Sequence, residues 1–272
     1  MFDEIIGHTN VKQKLQCSIL NNELSHSYVF YGQNGIGKKT LALSLARKLL
    51  GVKNLESCVD FKLIKKVDGK QDITVEQVRN IIVNDIYISP ASSKYKIYII
   101  DDAGCMNLAA QNALLKTLEE PPLHAIIILI TDSLNLLIPT IVSRTNNVFF
   151  NNLTNVEVKE VLTRLNVTVD EKIYTLSSGS VGQVLSIHQN NAISNLEEII
   201  EYIKEKNILN LLNALGNLDL KNTVILDCFQ RMLLNNELYC LVDLIEETKI
   251  KLQNNISEEI EKTALAIKLC KK

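Results

Sequence analysis

The run SHSYVFYGQNGIGKKTLALSLARKLL, Ser25–Leu50, joins a short apolar segment, a glycine-rich turn and a stretch with apolar residues at helical spacing. A strand that ends in glycines and opens a helix has the form of a phosphate-binding loop. Backbone N–H groups of the turn and the positive end of the helix face an anion, and a lysine adds a point charge. Gly32, Gly35, Gly37 and Lys38 occupy those places. The usual pattern is G-x-x-x-x-G-K-S/T, whose last hydroxyl ligates magnesium. Here Lys39 stands in that position and Thr40 comes one residue late. One residue turns a helical side chain by roughly 100°, so Thr40 is no simple substitute. Three readings follow from the loop alone: it hydrolyses a nucleotide, holds one idly, or holds none.

Around the loop the pattern alternates between strand and helix. A helix is expected before it, through Val11, Leu15, Ile19 and Leu20, and a core strand over Tyr28–Tyr31. Phe61–Lys66 reads as a second strand. Thr74, with Gln77 three residues on, forms a capping box that starts a helix to about Ile86. Ser89–Tyr95 is a loop, and Lys96–Asp102 is apolar until two carboxylates end it, as a parallel strand buried on both faces should be. Asn107 is placed to cap the helix LAAQNALLKTLEE, with Leu108, Leu114, Leu115 and Leu118 on its apolar side and Pro121-Pro122 as its stop. Ala125–Thr131 reads as a buried strand, Pro139–Arg144 as a short helix and Asn147–Phe150 as a last strand. This alternation predicts an α/β fold with a parallel sheet and helices on both faces. Beyond about Asn152 strands disappear. Helices such as Val156–Leu165 precede a turn at Ser177–Ser180, and Ile193–Lys272 reads as a helical bundle broken near Gly216–Asn222, Asn235–Asn236 and Asn254–Asn255.

Candidate chemistry sits at strand ends. Asp101 lies where phosphate-loop proteins place the acid that holds magnesium through water, and Asp102 where an ATPase of this architecture carries a glutamate that activates the attacking water. Aspartate is one methylene shorter, and misplacement by about an ångström can cost on the order of a hundredfold in rate. Alone, the pair reads equally well as a solvated strand end; with the loop upstream, the functional reading wins. Thr131 is placed to position a water or meet a γ-phosphate, or is an ordinary strand-end hydroxyl. Ser143-Arg144 puts a guanidinium at the sheet margin, where an isolated arginine is usually just solvated.

Composition narrows the class. The chain has 272 residues, 46% hydrophobic and 22% charged, enough for one to three globular domains. A net charge of −2 gives no overall pull toward nucleic acid or acidic lipid. Cys17, Cys58, Cys105, Cys228, Cys240 and Cys270 form no C-x-x-C pair and read as free thiols in a reducing cytoplasm. No apolar run approaches the roughly 20 residues of a membrane helix, so a soluble protein is expected. His8, His26, His124 and His188 are too dispersed to suggest a metal site.

GQNGIGKK, IIDDAGCMN, AQNALLKTLEEPP and PTIVSRTNNVFF, in this order, resemble the AAA+ subunits of the bacterial clamp loader, the DNA polymerase III assembly that places the sliding clamp on primed DNA. The similarity covers residues 1 to about 190. It implies an AAA+ P-loop α/β domain over 1–152, a small helical lid over 153–192 and an all-helical collar over 193–272. Two kinds of subunit compete: gamma/tau, an ATPase, and delta-prime, a stator that lends an arginine finger to its neighbour. Three departures favour delta-prime: Lys39 at the magnesium hydroxyl, Asp102 at the catalytic glutamate, and Gly182 where active ATPases carry a second-sensor arginine. Arg144 of the SR motif is retained as the finger, although Thr145 follows it instead of the usual cysteine. The implied subunit is a poor or inactive ATPase, with Gly32, Gly35, Gly37, Lys38, Lys39, Thr40, Asp101, Asp102 and Thr131 around a loop that holds ATP or ADP weakly or not at all. Only Cys58 remains in the region of the family's four-cysteine zinc module, so no zinc is expected. Implied partners are gamma/tau and delta subunits, the sliding clamp and, through the complex, primer-template DNA, with no membrane. The alternative is an ATP-hydrolysing subunit of gamma/tau type.

Overall fold

A computed structural model describes residues 2–67, 70, 72–253 and 256–271. The chain forms two compact units, Met1–Val161 and Leu162–Lys272. In the first, five strands make one sheet: β1 Ser27–Tyr31, β2 Phe61–Ile64, β3 Lys96–Ile100, β4 Ala125–Thr131 and β5 Asn146–Phe149. Their order is β2-β3-β4-β1-β5 and every pairing is parallel. The register sets Tyr31 beside Thr131 and Ile100 beside Leu129, so the chain leaves β1, β3 and β4 on one edge of the sheet.

The apolar runs are buried on both faces because each face has its own core. Tyr28, Phe30, Ile97, Ile99, Ile126, Ile128 and Ile130 pack with Val11 and Leu15 of α1 (Thr9–Leu20) and with Leu41, Ala42 and Leu45 of α2 (Lys38–Leu50). The alternate residues Val29, Tyr98, Ile100, Ile127 and Leu129 pack with Val78 of α3 (Val75–Val78), with Ile82 and Ile86, and with Ala110, Leu114 and Leu118 of α4 (Leu108–Glu119). Successive strand residues point to opposite faces, which is why β3 and β4 carry no polar alternation.

Local signals act as expected at several ends. The Thr74–Gln77 capping box is present, and the Asn107 side chain accepts from the Ala110 N–H at 2.8 Å. Two expectations change. The helix after Thr74 is only one α turn, continued by a π turn over Arg79–Val83 that places Ile82 and Ile86 in the core. Leu108 is solvent-exposed, because it starts α4 before the stripe that meets the sheet begins. α5 is Pro139–Val142, with proline in its first turn, where a missing N–H costs nothing.

Asp60, with no exposed surface, joins the loop before β3 to the sheet. It accepts from the N–H groups of Ala91 (2.7 Å), Ser92 (2.9 Å) and Ser93 (3.1 Å) and from the hydroxyls of Ser92 and Ser93. Burial opposes its ionisation, but these donors prevail and hold the carboxyl far below the usual range.

α6 spans Asn155–Arg164. Beyond it the second unit contains α7 Glu171–Leu176, α8 Val181–Gln189, α9 Ala192–Lys204, α10 Ile208–Gly216, α11 Thr223–Asn235, α12 Val242–Gln253 and α13 Glu258–Lys271. α10 packs on α9 and α13, and α11 on α8, α9 and α12. Asparagines punctuate it: Asn207 and Asn222 cap α10 and α11 through their side chains. The breaks expected near Gly216–Asn222 and Asn235–Asn236 fall between helices, whereas Asn254–Asn255 lies outside the described residues. No described helix is long and apolar enough to cross a membrane.

Candidate functional site

The glycine-rich turn follows β1 and ends at α2. Gly37 precedes the helix with φ 104°, and Gly32 has φ 142°, where an added Cβ would lie 2.5 Å from the Phe150 carbonyl oxygen. Both positions therefore require glycine. The turn is backed by His8, whose Nε2–H donates to the Ile36 carbonyl at 2.8 Å and whose ring packs on Phe150. Burial holds the His8 imidazole below its ordinary pKa.

Lys38 is buried and folded over the turn. Its ammonium donates to the carbonyls of Gly32 and Gln33 and pairs with Asp132 at 2.8 Å. Asp132 follows Thr131, whose buried hydroxyl donates to the Ser133 carbonyl at 3.1 Å. Lys39 pairs with Asp101, Nζ to Oδ2 2.7 Å, across the ends of β1, β4 and β3. Thr40 points to solvent. Asp102 sits in the left-handed region at φ 55° and is open to solvent as a residue. Its carboxyl is nonetheless pushed above the usual range, first by the protein crowding it and then by Asp101 and Asp132.

The structure thus brings Gly32, Gly35, Gly37, Lys38, Lys39, Asp101, Asp102 and Thr131 to the carboxyl edge of a parallel sheet, where ligands of such sheets bind. Both lysine ammoniums are paired here, Lys38 with Asp132 and Lys39 with Asp101. A divalent cation needs the Asp101 carboxylate and a neutral hydroxyl beside it, and here an ammonium occupies that carboxylate. The metal that phosphate loops normally use does not fit this donor set.

Arg144 lies away from that cluster, at the start of the segment leading into β5. Its Nη2 pairs with Glu119 at 2.8 Å and its Nη1 donates to the Thr140 carbonyl at 3.0 Å. Its own carbonyl accepts from Ser27 Oγ at 3.0 Å, fixing the backbone to β1. Gln111, buried on α4, donates to the carbonyls of Met106 and Leu136 and accepts from the Ile138 N–H at 2.8 Å, tying α4 to the chain that enters α5. Asp132, Glu119, Gln111 and His8 were not singled out by sequence reasoning. The first sits next to a named candidate and the next two lie inside the quoted AQNALLKTLEEPP motif; His8 carried no signal beyond its residue type.

Residues 7–154 match the protein family described as DNA polymerase III, delta subunit. DNA polymerase III subunit gamma of Buchnera aphidicola subsp. Baizongia pistaciae is 30% identical over 258 residues, which cover 84% of this chain and 69% of that protein. DNA polymerase III subunit tau of Bacillus subtilis is 29% identical over 218 residues, covering 74% of this chain but only 38% of its relative. Among solved structures, a DNA polymerase III gamma subunit-related protein from Thermotoga maritima superposes with a TM-score of 0.58 at 19% identity, over 94% of this chain and 98% of that one, a likeness of fold.

Proposed function

The chain belongs to the DNA polymerase III, delta subunit family, and from that premise we propose that it is a clamp-loader subunit of delta-prime type. It contributes Arg144 to the nucleotide site of a neighbouring gamma/tau-type subunit and hydrolyses little or no ATP itself. The observation that carries this reading is the 2.7 Å contact between Lys39 and Asp101. An ammonium on the magnesium-binding acid removes the metal that orients and neutralises a γ-phosphate, so phosphoryl transfer loses its main electrostatic stabiliser. Asp102 adds a second deficit, since a shorter carboxylate stands where the water-activating group belongs.

Arg144 supports the other half. Its guanidinium is at the surface, with a side chain 35% exposed and held in one orientation by Glu119 and Thr140. Phosphate recognition favours such a planar fork of donors. In this proposal the loop grips ATP or ADP weakly through Gly35, Gly37 and Lys38, residues 153–192 form a lid and 193–272 a collar that joins the subunits. Sliding clamp and primer-template DNA are met through the assembled ring. Gel filtration with gamma/tau and delta subunits tests the assignment: co-elution in one complex is expected, and elution of this chain alone overturns it.

A further inference from the structure

Arg144 is not simply exposed; it is held from behind. Glu119 Oε1 takes Nη2 at 2.8 Å, and the Thr140 carbonyl takes Nη1 at 3.0 Å. A guanidinium has five N–H donors in a rigid plane, so these two contacts fix the plane and leave donors for another acceptor.

Glu119 is an unexpected residue for its place. It is the last residue of α4, where the helix carbonyls make the local potential negative and a cation is preferred. Glu120 follows directly, adding a like charge. Lys116 already puts one cation in this last turn, and Arg144 adds a second that pairs with Glu119 directly. The carboxylate also rides on a fixed element, because Leu114 and Leu118 are buried in the sheet core and Gln111 bonds to the segment that leads to α5. Thr140 lies in α5 itself, and Nη1 also reaches Ser143 Oγ at the end of that helix at 3.4 Å, so the restraints on the guanidinium come from helices and their ends.

We infer that Glu119 is a positioning residue that pre-orders Arg144 for a phosphate on the neighbouring subunit. The inference rests on the reading of Arg144 as an arginine finger. A long side chain that must be ordered as the nucleotide arrives loses rotamer entropy at that moment; one already clamped loses less. The neighbour's binding of ATP does not need the finger in place, whereas its transition state does. Glu119 therefore acts on turnover and not on nucleotide affinity.

The test is a double-mutant cycle on the reconstituted loader, measuring ATP hydrolysis stimulated by clamp and primed DNA. Glu119→Ala is expected to lower kcat about tenfold, within the range that misplaced catalytic groups lose, with KM unchanged. Glu119→Gln keeps an acceptor oxygen and recovers part of the rate. Adding Glu119→Ala to Arg144→Ala lowers kcat no further, an outcome that a general folding defect would not give. A rate equal to or above the unmodified complex in Glu119→Ala, or a full additional loss on the Arg144→Ala background, overturns the positioning role while leaving the finger intact. An unchanged rate in Arg144→Ala overturns the finger and this inference with it. Equal melting temperatures of the variants confirm that the half-exposed Glu119 can be replaced without unfolding the chain.

Discussion

Replacing Lys39 with threonine should create a magnesium site where the protein now has an ammonium. Lys39→Thr restores the hydroxyl directly after Lys38 and frees Asp101 from its 2.7 Å ion pair. The size of the effect follows from charge. A divalent cation at Asp101 would lie about 4 Å from the displaced ammonium, and unit charges at that distance repel by about 1 kcal/mol in water and about 4 kcal/mol at a surface-protein dielectric. Doubling for the +2 charge gives about 2–8 kcal/mol. The lower figure is the relevant one, because the Lys39 side chain is 45% exposed and screened accordingly. Two kcal/mol is about thirtyfold in affinity. Calorimetric titration with ATP, in magnesium and in EDTA, checks it. The unmodified chain should show little difference between the two media, while Lys39→Thr should bind about thirtyfold more tightly with magnesium than without. Folding stability should move by less than about 1 kcal/mol, since the lysine of the lost pair is nearly half-exposed. An Lys39→Thr affinity that ignores magnesium would refute the claim that the ammonium is what excludes the metal.

Asp60→Asn should lower stability by about 2–3 kcal/mol, because an amide NH2 would face N–H and O–H donors that now share a buried carboxylate. Asp60 titrates well below the ordinary range in the folded chain, so its contribution is fully present above the unfolded pKa near 4 and fades as pH falls through the folded value. Thermal melts between pH 7 and pH 2 should therefore show a steeper acid loss for the unmodified chain than for Asp60→Asn, and parallel curves would count against the carboxylate anchor. Gly32→Ala should cost about 1–3 kcal/mol by forcing a side chain into a positive-φ position against the Phe150 carbonyl, read from the shift in urea midpoint; an unchanged midpoint would mean that the turn relaxes freely.

Much of the fold was legible because it depends on local rules. The short, β-branched, largely apolar runs of β3 and β4 match strands covered on both faces, and Thr74, Gln77 and Asn107 mark helix starts by chemistry that does not need the rest of the chain. The loop could be read from its glycines for the same reason. What remained hidden was tertiary. Lys39 and Asp101 are far apart in sequence, and only the β1–β4–β3 order brings them together; sequence could show that a hydroxyl was missing, not that the lysine in its place pairs with Asp101. Asp132 meets Lys38 by the same route. Glu119 was visible inside its motif, but its partner lies beyond β4, and nothing in helix periodicity assigns a role to a terminal carboxylate.

The role of Arg144 as a finger is read most directly from one rate: ATP hydrolysis by the loader reconstituted with Arg144→Ala, with clamp and primed DNA present. Arginine fingers contribute roughly 10³–10⁵ to hydrolysis at the site that receives them, so the site beside this chain should lose about a thousandfold or more. In a ring with several ATPase sites, the total rate falls by that site's share and by whatever other turnover depends on it. A complex that assembles normally and hydrolyses ATP at the unmodified rate at every site, resolved by single-turnover measurement, would contradict it.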